Sequence, residues 1–276
     1  MNKTTEEVRE YWNERAKELA GALAATTNDI HLRELEIKTV VETLKELNLP
    51  EDASVLDVGC GDGYSTLRVA REIEGRRFLG IDYSENMIAI AVNRLEEVPG
   101  LEGASNSLKD RVDFAVGDAT KLDQLYDGPA YNVALTFRCL INLVTPESQA
   151  DAIAQIAGCL KPGGYYVAIE NFIEGNNNLN DARQKLGLPE IAVRWHNLFF
   201  KETDFISTVE RFFEPPQFKD FSSSYYFATR VIYSSMCQMR GEVPDYDHDI
   251  HKLAIHLPWT GQFSPIRMAV MRKKAE

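Results

Sequence analysis

Ser54-Val55-Leu56-Asp57-Val58-Gly59-Cys60-Gly61-Asp62-Gly63-Tyr64-Ser65-Thr66-Leu67-Arg68-Val69-Ala70 decides the fold of this 276-residue chain. Val55, Leu56 and Val58 make a short apolar run, the pattern of a strand buried on both faces of a parallel sheet. Three glycines at alternate positions follow, and Leu67, Ala70 and Ile73 open a helical stripe directly after them. Glycine lacks Cβ, so such a turn can be sharp and a ligand can lie against bare backbone. The free N–H groups of the next helix then point at that ligand. Strand, glycine turn and helix in this order predict an open α/β sheet with a nucleotide-like ligand at the carboxyl ends of its strands.

The glycine spacing selects among ligands. A dinucleotide fingerprint reads G-x-G-x-x-G, whereas this turn reads Asp57-x-Gly59-x-Gly61-x-Gly63. An acid at that strand end is poor company for a pyrophosphate and suits an ammonium or sulfonium group. The pattern resembles motif I of the class I S-adenosylmethionine-dependent methyltransferases. Later segments extend the resemblance. Arg77 to Ile81 reads as a second strand ending at Asp82, where an acid accepts from ribose hydroxyls. Gly80-Ile81-Asp82-Tyr83-Ser84 resembles the family's second motif. Ser84 reads as a helix N-cap ahead of the apolar stripe Met87, Ile88, Ala91, Leu95 and Val98. A third strand, Val112 to Val116, runs into Gly117-Asp118-Ala119-Thr120; the resemblance implies that Asp118 accepts from the adenine amino group. Tyr131 to Thr136 is the fourth strand. Thr145 and Pro146 start a helix as cap and first residue. It stops at Leu160-Lys161-Pro162-Gly163-Gly164, a methyltransferase-like signature before the fifth strand, Tyr165 to Glu170. A nicotinamide-dependent dehydrogenase explains neither Asp118 nor the Lys-Pro-Gly-Gly stop.

The resemblance implies a Rossmann-like, doubly wound α/β fold, mostly parallel with an antiparallel last strand. It implies S-adenosylmethionine as cofactor and S-adenosylhomocysteine as product. The implied cofactor contacts are Asp57, Gly59, Cys60, Gly61, Gly63, Asp82, Tyr83, Met87, Asp118, Ala119 and Phe137, with Tyr11 from an N-terminal lid. The chain divides into a helical lid (1–49), the cofactor-binding core (50–171), a substrate-capping insertion (172–222) and the last strands with a second insertion (223–276). Tyr225 to Tyr233 is the expected sixth strand and Ile266 to Arg272 the last.

Composition sets limits. Thirty basic and 42 acidic side chains leave a net charge of −12, which argues against a nucleic-acid partner, since that needs a basic face. Cys60, Cys139, Cys159 and Cys237 form no CxxC pair, so buried free thiols in a reducing cytosol are expected. The opening residues are polar and charged, unlike a secretory leader, and no apolar run approaches a membrane span. A cytoplasmic monomer or homodimer with a small-molecule partner is the expectation. His248, His251 and His256 sit among Asp245, Asp247 and Asp249, but the spacing matches no zinc pattern, and no metal is assigned.

Outside the core lie the acceptor candidates. The first helix carries Val8, Tyr11, Trp12 and Leu19. The stretch Ala24 to Asn28 follows, and a second helix, capped by Asp29, repeats Ile37, Val40, Val41, Leu44 and Leu47. Tyr11 and Trp12 either close over the methionine end of the cofactor, as the resemblance implies, or anchor the helix to the core. Arg138 follows the fourth strand, whose end faces the transferred methyl in the family. A guanidinium there suits a carboxylate or phosphate, and Arg183 and Arg194 are expected to converge with it on the substrate. His196 is the first candidate base and Glu170 the second. In the insertion, Trp195, Phe199 and Phe200 read as a satellite core. The function expected is methyl transfer to an O or N atom of a small polar or anionic molecule, such as a sugar, a carboxylate or phosphate, or a natural-product intermediate. The alternative is a regulator that binds the cofactor without transferring from it.

Overall fold

A computed structural model describes residues 4–18, 27–97, 107–125 and 128–275. Leu19, Val98 and positions 24–26 lie outside the described residues. Seven strands form one sheet among the described residues: β1 (Ser54–Val58), β2 (Arg77–Asp82), β3 (Val112–Val116), β4 (Tyr131–Phe137), β5 (Leu160–Asn171), β6 (Gln217–Lys219) and β7 (Ile266–Arg272). Their order is β3-β2-β1-β4-β5-β7-β6. The first five pair in parallel, and β7 runs antiparallel to both β5 and β6. The strand order reverses beside β1, between β2 and β4, so the carboxyl ends of these strands open a crevice there.

The helices are α1 (Thr5–Glu18), α2 (Ile30–Glu46), α3 (Tyr64–Glu72), α4 (Glu85–Glu96), α5 (Pro146–Cys159), α6 (Ile173–Lys185), α7 (Glu202–Val209), α8 (Ser223–Tyr226), α9 (Ser234–Arg240) and α10 (Asp249–Ala254). Their starts follow the sequence signals. Asp29 accepts from the Leu32 N–H at 3.0 Å, Ser84 from Met87 N–H at 3.2 Å, and Thr145 from Ser148 N–H at 3.1 Å with Pro146 at the first helical position. Each such cap stabilises its helix by about 1 kcal/mol. Both sheet faces are covered. Ile37, Val40 and Leu44 of α2 share one core with Val55 and Val133; Ile153 and Ile156 of α5 share another with Leu56 and Tyr166. Burying each such aliphatic side chain contributes roughly 1.5–3 kcal/mol. No helix among the described residues is long and apolar enough to cross a membrane.

The expected sixth strand is not a strand. Tyr225–Tyr226 closes α8, and Phe227–Tyr233 continues as a π-helix into α9. The β-branched and aromatic composition suggests a strand, but packing decides the outcome. Tyr225, Thr229 and Tyr233, four residues apart, are all buried, and the Thr229 hydroxyl bonds back to the Tyr225 carbonyl at 2.6 Å. The edge strand is instead Gln217–Lys219, three residues long and too short to show alternation. The satellite core consists of Phe172, Phe200, Phe205 and Phe218 in mutual ring contact, with Phe199 partly buried against the same cluster. Trp195 is outside it, half exposed.

Candidate active site

Between β1 and α3 the chain turns through Gly59 (φ 75°), Gly61 (φ 56°) and Gly63 (φ 70°), a region that disfavours side chains. At Gly59 space is also missing, because an added Cβ would lie 2.2 Å from Cys139 Sγ. The turn is tied to β2 by the Gly59 and Cys60 N–H groups, both donating to the Ile81 carbonyl at 2.8 and 2.9 Å. Buried Asp62 pins it from behind, pairing with Arg33 of α2 at 2.6 Å and Arg94 of α4 at 3.0 Å.

Two carboxylates line the cleft above this turn. Asp82 Oδ2 accepts from Gly61 N–H at 3.0 Å and Oδ1 from Ser84 N–H at 2.9 Å. Burial pushes its carboxyl up to about 6, against the pull of those two N–H groups. Asp57 Oδ2 accepts from the Thr66 hydroxyl at 2.5 Å, while Oδ1 is buried with no hydrogen-bond partner among the described residues. Burial lifts Asp57 to about 7, and the Asp82 charge adds to the lift. Tyr83, Met87, Asp118, Ala119 and Phe137 complete this wall. Asp118 is steadied by Thr120, whose N–H and hydroxyl donate to Oδ1 at 2.9 and 2.7 Å. An orphaned buried carboxylate oxygen and a second carboxylate with lone pairs to spare fit a ligand rich in donors and positive charge.

Another part of the cleft lining carries Glu36, Arg138, Ile141, Asn142, Arg194, His196 and Asn197, with Trp12 of α1. Arg138 is the one non-glycine residue with positive φ (55°) among the described residues. Its Nε lies 3.0 Å from Glu36 Oε1, and its Nη2 donates to Oε2 at 3.2 Å. Buried His196 stacks on Tyr11 at 4.5 Å and meets Trp12 and Trp195 edge-on at 5.6 and 5.3 Å. Trp12 Nε1 donates to Asn142 at 3.3 Å. The empty space between the walls, counting its open mouth, is about 1240 Å³.

Residues 55–164 match the family model described as a methyltransferase domain. They are a class I S-adenosylmethionine-dependent methyltransferase domain. The demethylmenaquinone methyltransferase of Leptospira interrogans is 33% identical over 125 residues, 45% of this chain and 45% of that protein. The chain thus matches about half the length of that curated relative. Among solved structures, the [4+2]-cyclase SpnF superposes with a TM-score of 0.64 at 21% identity, covering 99% of this chain and 98% of its own. Magnesium protoporphyrin IX methyltransferase from Synechocystis PCC 6803, with bound S-adenosylhomocysteine, gives 0.60 at 18% identity, covering 98% and 100%. At these identities the structural likeness concerns the fold.

The methyltransferase domain brings together the named residues of β1, β2 and the turn after β3, and with them Arg138, Arg194 and His196. Gly63, Tyr11, Glu170 and Arg183 do not line the cleft. Gly63 caps α3 from behind, where a Cβ would strike Ala91 and Phe114. Tyr11 instead stacks on His196, which does line the cleft. Glu170 is fully buried beneath the 140–142 turn, accepting from Leu140 N–H at 3.1 Å, and burial raises its carboxyl to about 7. Arg183 is a correction. Its guanidinium donates to the Pro189 carbonyl at 2.9 Å and to the Arg230 carbonyl, so it joins the two insertions instead of meeting Arg138. The candidate histidine cluster is also structural. His248 Nδ1 accepts from Ile250 N–H at 3.2 Å, and His251 Nδ1 shares a 2.7 Å bond with the Tyr225 hydroxyl. Glu36, Arg33 and Asn142 were not expected in the cleft, whereas Trp12, one of the two lid candidates, lines it. The available signal was Arg33 and Glu36 falling on the same helical face as Ile37, Val40 and Leu44.

Proposed function

We propose that this chain transfers a methyl group from S-adenosylmethionine to an oxygen or nitrogen of a small polar molecule in the cytoplasm. One observation carries the reading. One cleft is lined both by a carboxylate wall (Asp57, Asp82, Asp118) and by a wall of nitrogen-bearing side chains (Arg138, Asn142, Arg194, His196). The first wall suits ribose hydroxyls, an adenine amino group and an ammonium. The second suits a polar acceptor. The cofactor supplies an electrophilic methyl on a positively charged sulfur. The rest is positioning, which contributes several kcal/mol when the nucleophile is aligned. Asp82 orients the ribose through its ionised carboxylate. Trp12 and the Tyr11–His196 stack exclude water by joining α1 to the insertion. His196 is the residue to take a proton from a hydroxyl or ammonium acceptor. Glu170 positions the 139–142 turn from beneath and does not meet the acceptor.

The test is titration calorimetry with S-adenosylhomocysteine, followed by a labelled-methyl assay on fractionated metabolites. Binding with transfer to a small metabolite supports the reading. No binding of S-adenosylhomocysteine, or tight binding of a nicotinamide dinucleotide, refutes it. The second reading is cofactor binding without methyl transfer, since one fold hosts several reactions. Binding without methyl transfer to any fraction selects that reading.

A further inference from the structure

Arg138 is held in an unusual way. A non-glycine residue in the left-handed region costs of order 1–3 kcal/mol and persists only where its surroundings fix it. Here its N–H donates to the Ile169 carbonyl at 2.7 Å, and its carbonyl accepts from Asn142 Nδ2 at 2.9 Å. Glu36 then lies along one edge of the guanidinium, hydrogen-bonded by Nη2 and in ion-pair contact with Nε. The fork of arginine is rigid, so fixing that edge fixes Nη1. Nη1 has no partner among the described residues, and Arg138 is in the cleft wall. The segment carrying Arg194 is bound to the same turn. Leu198 N–H donates to the Ile141 carbonyl at 2.6 Å, and Gln149 Nε2 bridges the Leu140 and Leu198 carbonyls at 3.1 and 2.8 Å. Arg194 is exposed at the mouth with no side-chain partner among the described residues.

We propose that Glu36 is a positioning residue, holding Arg138 so that Nη1 and the Arg194 guanidinium bind one carboxylate or phosphate group of the methyl acceptor. The proposal rests on the function proposed above and narrows its acceptor to an anion. It also divides labour in the cleft. Glu36 neutralises most of the Arg138 charge, so Arg138 supplies direction and Arg194 supplies net attraction. An anion held between the two guanidiniums draws on both, through charge-assisted hydrogen bonds.

The test uses the full chain saturated with S-adenosylhomocysteine and follows arginine side-chain nitrogen signals by NMR. Inorganic phosphate is titrated in one arm and acetate in the other; the arm that saturates at the lower concentration identifies the group. In the wild type, the Arg138 and Arg194 signals are expected to shift together with one dissociation constant. In Glu36→Gln, which keeps shape and loses charge, the Arg138 Nη2 protons, which donate to Glu36, should lose their protection from exchange. The anion should weaken about tenfold, and S-adenosylhomocysteine affinity should stay within twofold. Glu36→Asp, a shorter carboxylate, should fall between. Tighter anion binding in Glu36→Gln overturns the proposal, because Glu36 would then only mute the charge. Loss of S-adenosylhomocysteine affinity in step with the anion also overturns it, because Arg138 would belong to the cofactor's own subsite. Failure of the wild type to bind S-adenosylhomocysteine is a different result and refutes the methyltransferase reading.

Discussion

Asp82→Asn isolates the charge of the carboxylate proposed to face the ribose. Both oxygens of Asp82 already accept backbone N–H bonds, from Ser84 at 2.9 Å and Gly61 at 3.0 Å. An amide in the same place presents one NH2 to one of those N–H donors, so one bond is lost at a stability cost of roughly 1–3 kcal/mol. The ligand suffers separately. Hydrogen bonds to a charged acceptor are worth about 1.5–3 kcal/mol each and neutral ones about 0.5–1.5. Two ribose hydroxyls therefore lose about 2 kcal/mol together, and at 1.4 kcal/mol per decade the dissociation constant rises about 30-fold. Calorimetry with S-adenosylhomocysteine at pH 7.5 reads this directly, with thermal denaturation as the check on folding. Asp82 titrates near 6, so wild type at pH 5 should bind about as weakly as the variant, and the variant should show less pH dependence. A dissociation constant within threefold of wild type, in a variant that still unfolds cooperatively, refutes the assignment of Asp82 to the ribose.

Deleting residues 1–28 removes Trp12 and the Tyr11 stack on His196 but leaves Asp29 and the sheet; the truncated protein should fold and bind S-adenosylhomocysteine about tenfold more weakly, and unchanged affinity would make α1 an anchor only. His196→Ala should lower kcat by roughly 10²-fold with cofactor affinity within twofold if His196 is the base; an unchanged kcat on a hydroxyl or ammonium acceptor rules that out. Burial holds Asp57 and Glu170 near 7 and Asp82 near 6, above the ordinary carboxylate range, so the unfolded chain releases these protons first. Their contribution to ligand-free stability is therefore full at about pH 4, falls as pH rises, and is lost by about pH 7. Urea denaturation at several pH values should show Glu170→Gln with a shallower fall than wild type, and an equal or steeper fall contradicts the pKa ordering.

The cofactor half was legible because its chemistry is local. Asp57, the glycines and Thr66 occupy one strand, one turn and one helix, and backbone geometry leaves them few arrangements. Asp82 and Ser84 are equally local, two residues apart and joined by a hydrogen bond. The acceptor half is built from pairings that no window of sequence contains. Glu36 and Arg138 are 102 positions apart, and Arg183 meets a carbonyl 47 positions away. Tyr225 to Tyr233 misled for the same reason. Its composition favours a strand, but the Tyr225 hydroxyl bonds Asp29, 196 positions away, at 2.6 Å, and Arg230 pairs with the same carboxylate.

The arginines expected in the substrate site were sorted by what each could find to bond. An arginine carries five donors and stays charged, so a buried one must be paired or bonded. Arg183 is buried and spends its donors on carbonyls that hold the insertions together. Arg33, buried beside the glycine turn, spends its charge on Asp62. Arg138 is a quarter exposed and half spent, its Glu36 edge taken and its far edge in the cleft. Arg194 is exposed and unspent. Positive charge available to an acceptor therefore increases from the floor of the cleft to its mouth, while the uncompensated carboxylates Asp57 and Asp82 lie at the floor. A cationic cofactor end and an anionic acceptor end are each drawn to opposite ends of the same space. In the proposed reading the acceptor's anion is held at the mouth, and its nucleophilic atom faces inward toward the methyl group.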